Sequence, residues 1–207
     1  MPSTKIDLKR TYKQLYTAAR EPALLEVPEL AFLMVDGHGD PNTAVEYAQA
    51  VEALFTVSYT IKFAIKRADG GFDYGVMPLE GLWWVEDMSR FATAQKCDWD
   101  WTAMIMQPEE VTGAMVDEAL VAARAKKPLP GATHLRLERF LEGPAAQVLH
   151  VGPYSAEGPT IERLHAFIAE SGREARGKHH EIYLGDPRRS APERLRTVIR
   201  QPVSGAG

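Results

Sequence analysis

The chain has 207 residues, 45% of them hydrophobic and 25% charged, the balance of a soluble globular protein with room for one large domain or two small modules. A formal charge of −4, from 24 Lys and Arg against 28 Asp and Glu, supplies no global basic field to draw in nucleic acid or anionic lipid, and the single Cys97 excludes an intrachain disulfide. The amino terminus lacks an apolar signal core and no run approaches the about 20 apolar residues of a membrane span, so a soluble, cytoplasmic protein is expected.

Residues 1–30 read as a polar N-terminal extension. Tyr12, Leu15 and Tyr16 predict a short helix within it, and Pro22 and Pro28 interrupt the stretch after that helix. The segment is too short for a helix-turn-helix domain with a linker, which weighs against a complete transcription regulator. The apolar run Ala31-Phe32-Leu33-Met34-Val35 predicts the first buried strand, and Gly37, Gly39 and Asp40-Pro41 predict a turn after it. Thr43 and Glu46 have the spacing of a capping box. Val45, Ala48, Val51, Phe55 and Tyr59 then recur at helical spacing, which predicts a long helix to about Lys66. Asp69-Gly70-Gly71 ends it. Strands are expected over 74–85 and 99–106, and a helix over 112–127 with Val116, Leu120 and Ala123 on one stripe.

Pro128-Leu129-Pro130-Gly131 looks like a hinge, and beyond it the grammar repeats. Residues 146–151 predict a strand, Gly152-Pro153-Tyr154 a turn, and Ile161, Leu164, Phe167 and Ile168 a helix closed by Gly172. Glu181-Ile182-Tyr183-Leu184 and 195–200 predict two more strands. Thr102 to Pro108 also parallels Arg196 to Pro202, both strands ending in Gln-Pro. We read a tandem pair of β-α-β-β modules made by internal duplication, against coincidence in a generic α+β chain. A cleft between the modules is the expected place for a ligand.

All four tryptophans, Trp83, Trp84, Trp99 and Trp101, fall on two neighbouring strand segments. Alternation puts Trp84 on one strand face with Leu82 and Glu80 and points Trp83 the other way. Glu181 and Tyr183 share a face of their own strand. Indoles, a phenol and a carboxylate together suit flat, apolar or cationic organic molecules. The bland alternatives are core tryptophans and a solvated edge-strand glutamate. His179-His180 point to opposite faces and have no third ligand at suitable spacing, so no metal site is expected. Cys97 has no His or CxxC partner motif and reads as inert. Gly37-His38-Gly39 is neither a phosphate loop nor a dinucleotide fingerprint, and no cofactor is expected. The basic cluster from Arg188 to Arg200 reads as a solvated face.

Several stretches resemble the stand-alone GyrI-like proteins: Phe32 to Asn42, Ser58 to Lys62, Met77 to Trp84, His180 to Leu184 with Asp186-Pro187-Arg188-Arg189, and Arg200 to Val203. The resemblance spans roughly residues 6–203. It implies an α+β GyrI-like, multidrug-effector-binding fold, with two tandem SHS2-like β-α-β-β modules related by a pseudo-two-fold. The chain then divides into a first module with its connecting helix (31–127), a linker (128–145) and a second module (146–203). The resemblance implies a small-molecule pocket between the modules, with a glutamate and aromatic rings; from the charge balance and the lack of an apolar span, a small-molecule ligand and no nucleic-acid or membrane partner is expected. Relatives fused to DNA-binding domains are multidrug-responsive regulators. Some unfused relatives are hydrolases that open the strained cyclopropane of DNA-alkylating natural products. Carried over by position, the pocket glutamate falls on Glu181. Tyr183 and Trp84 lie in matching motifs, and Tyr154 sits in a turn that borders the pocket. The candidate catalytic set is therefore Glu181, Tyr154 and Tyr183. The candidate ligand-binding set is Trp84, Trp101, Glu80, Phe55, Tyr59 and His38. In this reading Glu181 is a general base whose pKa burial raises, and Tyr154 or Tyr183 donates to the oxygen that gains charge. The alternative is a module that binds or senses such ligands without chemistry.

Overall fold

The computed structural model describes residues 4–204. In chain order the elements are β1 (Thr4–Ile6), α1 (Leu8–Thr11), β2 (Ala23–His38), α2 (Val45–Arg67), β3 (Phe72–Tyr74), β4 (Leu79–Trp84), β5 (Asp100–Gln107), α3 (Gly113–Arg124), β6 (Arg136–Val151), α4 (Gly158–Glu170), β7 (His179–Tyr183) and β8 (Arg196–Pro202). Among the described residues, six strands close into an antiparallel barrel in the order β2-β5-β4-β7-β8-β6, and β1 pairs with β3 in a separate parallel ribbon. The barrel order reads the same when β2, β4 and β5 are exchanged for β6, β7 and β8, and each set is interrupted by one long helix, α2 or α4. No helix among the described residues is long and apolar enough to cross a membrane.

The two long strands begin earlier than the apolar runs predict. β2 starts at Ala23 and carries Pro28 inside it, in register with Glu142 between the pairs Val27↔Gly143 and Glu29↔Leu141. Proline has no N–H to donate, so that rung is missing while the register holds on both sides. β6 starts at Arg136, within the expected linker, because 136–141 form an arm held by charge as well as by backbone bonds. Arg136 pairs with Asp36 at 2.9 Å, and Arg139 pairs with Glu29. The expected hinge is docked: Arg124 donates to the Ala132 carbonyl at 3.1 Å. The segment predicted as one strand over 74–85 divides into β3 and β4.

Helix α2 has the predicted length and a different buried face. Ala50, Ala53, Leu54, Val57, Ile61 and Ile65 are buried, while Val45 is 62% exposed and Tyr59 46% exposed. The helix is apolar on more than one side, so periodicity fixes the element but not its rotation. Thr43 and Glu46 make no capping box. The N-cap is Ala44, and Asp40 shapes the turn by accepting from the Asn42 backbone and side-chain amides at 2.9 and 2.7 Å.

Each barrel strand presents alternate residues to two faces. The outer face carries the helices: Gln107 of β5 donates to Ser58 of α2 at 3.1 Å, and Leu164 and Ile168 of α4 pack on Val148 and Ile199. The inner face holds a chain of buried polar groups. His180 donates from Nδ1 to Glu142 at 2.9 Å and from Nε2 to Glu80 at 3.0 Å. Tyr16 donates to Glu80 at 2.6 Å, and Arg200 donates to Glu142, Gln147 and the Leu15 carbonyl. An imidazole that donates from both nitrogens is an imidazolium, so two cations answer two carboxylates, as buried charge requires.

Candidate functional site

Strand β7 builds the site from its outer face. Register places Gly81 of β4 and Ile199 of β8 on either side of Glu181. His179 stands opposite Trp83, and Tyr183 stands opposite Thr197. His179 Nε2 donates to Glu181 Oε1 at 3.1 Å, and the Tyr183 hydroxyl donates to Glu181 Oε2 at 2.7 Å. Glycine at 81 is required by the indole beside it: an added Cβ would lie 2.8 Å from Trp83 Nε1.

Aromatic rings wall this carboxylate. Tyr154, in the turn before α4, meets Tyr183 edge-on with ring centroids 5.5 Å apart. Tyr47 of α2 covers Trp83 at 5.6 Å and Trp101 at 5.0 Å. Trp99 lies 5.7 Å from Trp83, and Phe91 stacks on Trp99 at 4.8 Å while touching the His179 ring at 5.4 Å. The indole nitrogens of Trp83 and Trp99 have no hydrogen-bond partner among the described residues.

A second carboxyl, Glu157, enters from the residue before α4 and is within electrostatic reach of Glu181. The pair is asymmetric. Burial, and then the charge of Glu181, push Glu157 up to about 9. Burial also acts to raise Glu181, but the hydrogen bonds from His179 and Tyr183 and the nearby His179 charge outweigh it and hold Glu181 below the ordinary range. At neutral pH Glu157 is therefore the acid and Glu181 the carboxylate. This corrects the expectation that burial raises Glu181. Burial, followed by the charges of Glu157 and Glu181, pushes the Tyr154 phenol up to about 12, and burial with Glu181 raises Tyr183 as well, so both remain protonated donors.

Glu181, Tyr154 and Tyr183 lie together, and Trp101 packs edge-on against Tyr47. The other predicted ligand residues lie elsewhere. Glu80 and Trp84 are on the inner face: Glu80 belongs to the His180 chain, and Trp84 has the Lys178 ammonium 3.2 Å from its ring centroid. The odd-even alternation that aims Trp83 outward aims these two inward. His38 is exposed at the end of β2 and pairs with Asp100 at 2.9 Å. Tyr59 stacks on Phe55 and on Phe63 along the outside of α2. Sequence reading missed Glu157, Tyr47 and Phe91, which only tertiary packing brings to β7. For Trp83 the signal was present, since alternation already pointed it away from Trp84. Two surface clefts, about 170 Å³ beside Ile6 and Met77 and about 380 Å³ beside Leu25 and Arg173, contain none of the candidate residues.

Comparison with known proteins gives one family and a set of similar folds. The family model of the GyrI-like small molecule binding domain matches residues 20–204. No curated protein matches the chain. A solved structure of an uncharacterized conserved protein from Listeria innocua is 42% identical, with a TM-score of 0.89 over 96% of this chain and 100% of its own. A hydrolase from Listeria innocua is 40% identical, with a TM-score of 0.85 over 96% and 100%. The EcmrR C-terminal domain is 12% identical, with a TM-score of 0.55 over 90% and 98%, a likeness of fold alone.

Proposed function

The chain belongs to the GyrI-like small molecule binding domain family, and from that premise we propose that it binds planar, lipophilic or cationic electrophiles at Glu181 and adds water to them. The observation that carries this reading is the carboxyl pair, one member ionised and one neutral, walled by Tyr47, Trp83, Tyr154 and Tyr183. The rings hold a flat ligand by stacking, and the carboxylate favours positive charge on it. The similarity to a Listeria hydrolase supports chemistry beyond binding.

The substrate class that fits is a strained cyclopropane conjugated to a carbonyl, as in alkylating natural products, and the activity would be a detoxifying one. Glu181 takes a proton from water as its oxygen bonds to the ring carbon. The carbon–carbon bond of the cyclopropane breaks, and its electron pair flows to the conjugated carbonyl oxygen. That oxygen takes a proton from Glu157, with a phenol of Tyr154 or Tyr183 donating a hydrogen bond to it. The proton gained by Glu181 then returns to Glu157, so the pair ends as it began.

The test is incubation with a panel of planar electrophiles and cationic dyes, read by mass spectrometry for the gain of one water. Turnover is expected in the native protein, and Glu181→Gln should keep binding while losing roughly 100- to 10,000-fold in rate. Undiminished turnover in that variant would refute the role of Glu181. Binding with unchanged ligand mass across the panel would instead identify a passive binding module.

A further inference from the structure

Residues 86–98 cover the site with little to hold them there. Two short 3-10 turns, Met88–Thr93 and Lys96–Asp98, make up the segment. Their hydrogen bonds are local: Asp87 accepts from Ser89 at 3.0 and 2.7 Å, Thr93 donates to the Arg90 carbonyl at 3.1 Å, and Ala94 and Asp98 close their own turns. Neither turn contains a buried residue. Two of its side chains, Phe91 and Lys96, meet the Trp99 indole at the edge of the barrel. Phe91 lies in a slot with the Trp99 indole 4.8 Å away, nearly parallel at 25°, and the His179 imidazole 5.4 Å away. His179 in turn holds Glu181, which is 9% exposed. Lys96, with its ammonium 5.5 Å from the Trp99 ring, adds positive charge that lowers both carboxyls.

We propose that the slot between Trp99 and His179 is the ring-binding subsite of this protein, that Phe91 is its built-in occupant, and that residues 86–98 are the lid which a flat aromatic ligand opens by displacing Phe91. This rests on the proposed binding function and names how its ligand enters. A phenyl stacked on an indole at 4.8 Å, with a second ring, the His179 imidazole, tilted against it by 35° at 5.4 Å, has the geometry of a stacked aromatic ligand. A segment with only local hydrogen bonds and few buried side chains opens at low cost. The ligand class is therefore a flat ring that stacks better than phenyl, either larger or cationic. Bulky non-planar cations of equal charge would not enter the slot. An occupant that must leave first reduces apparent affinity by the fraction of time the slot is filled, and removing it restores that affinity.

The experiment is stopped-flow quenching of tryptophan fluorescence by ethidium, a planar cation, in the full chain and its Phe91→Ala and Phe91→Trp variants. Thermal melts of each confirm folding. Phe91→Ala should bind ethidium roughly tenfold faster and tighter, the size of the one or two aromatic contacts that no longer compete. Phe91→Trp should bind it more slowly than the native chain. Slower or weaker binding by Phe91→Ala would overturn the proposal and make Phe91 a wall of the site. Failure of all three proteins to bind any planar compound would overturn the binding function itself. Binding by Phe91→Ala alone would support both.

Discussion

At residue scale, neighbouring carboxyl groups separate into an acid and a base, one by burial and the other by its hydrogen bonds. Glu181 receives bonds from His179 and Tyr183, while Glu157 Oε1 has no partner among the described residues. The member held by two donors ionises, while burial, and then the charge of its neighbour, keeps the proton on Glu157. Substituting Glu157→Gln preserves a neutral group of the same shape and removes the exchangeable proton. The proposed hydrolysis should then fall about 100-fold, and the alkaline limb that Glu157 places at about 9 should disappear from the pH–rate profile. A profile with that limb intact would assign it to another group. Tryptophan quenching by a planar dye should be unchanged, since the walls of the site are untouched. Sequence alone reached one half of this arrangement. Glu181 and Tyr183 are two residues apart on a strand, so alternation places them together. Glu157 lies 24 positions earlier in the chain, in a turn with no motif, and only the packing of α4 against β6 and β8 brings it near.

At the scale of elements, local chemistry predicted existence better than boundary or rotation. Helices α2, α3 and α4 and all six barrel strands lie where apolar spacing and Gly or Pro punctuation predict them. The early ends of β2 and β6 escaped because charged and turn-forming residues interrupt them, Glu26, Pro28 and Glu29 in β2 and Arg136, Glu138, Arg139 and Gly143-Pro144 in β6. Helix α2 shows the same principle in rotation. Its row of Phe55, Tyr59 and Phe63 is as apolar as its buried row, and the choice between them was made by Ser58 meeting Gln107 and by Leu54, Val57 and Ile61 meeting the barrel. Truncation distinguishes the two rows. Leu54→Ala leaves a cavity at a fully buried position and should cost about 2–5 kcal/mol in urea unfolding. Tyr59→Ala, on the exposed row, should stay within about 0.5 kcal/mol. Equal costs would place the helix in the other rotation.

For the molecule as a whole, two buried polar systems lie back to back on β7, His180 facing into the barrel and Glu181 facing out, and together they set how stability depends on pH. Glu142 falls to about 2 because His180 and Arg200 overcome its burial. Its contribution is complete above its ordinary value of 4.5 and is lost as pH drops toward 2. Glu181, held below its ordinary value, acts in the same direction, whereas Glu157 and His180 act in the opposite one. Glu157 is raised from 4.5 to about 9, so folding favours its protonated form and stability declines steadily as pH rises between those values. His180 is raised from 6.5 to about 9 by the charge of Glu142 and the bonds to Glu142 and Glu80, against its burial, and it adds a second decline that begins only above 6.5. The sum places maximal stability on the acidic side, at about pH 5, rather than at neutrality. Thermal melts from acid to alkali should show a melting temperature that climbs to that point, falls gently, and then falls more steeply above 6.5. Glu157→Gln should flatten the gentle portion and leave the steep one. Because His165, lowered from 6.5, opposes that decline, the native chain is compared with Glu157→Gln: identical slopes between 4.5 and 6.5 would show that Glu157 is ionised in the folded protein, and with it the division of labour between the two carboxyls would be lost.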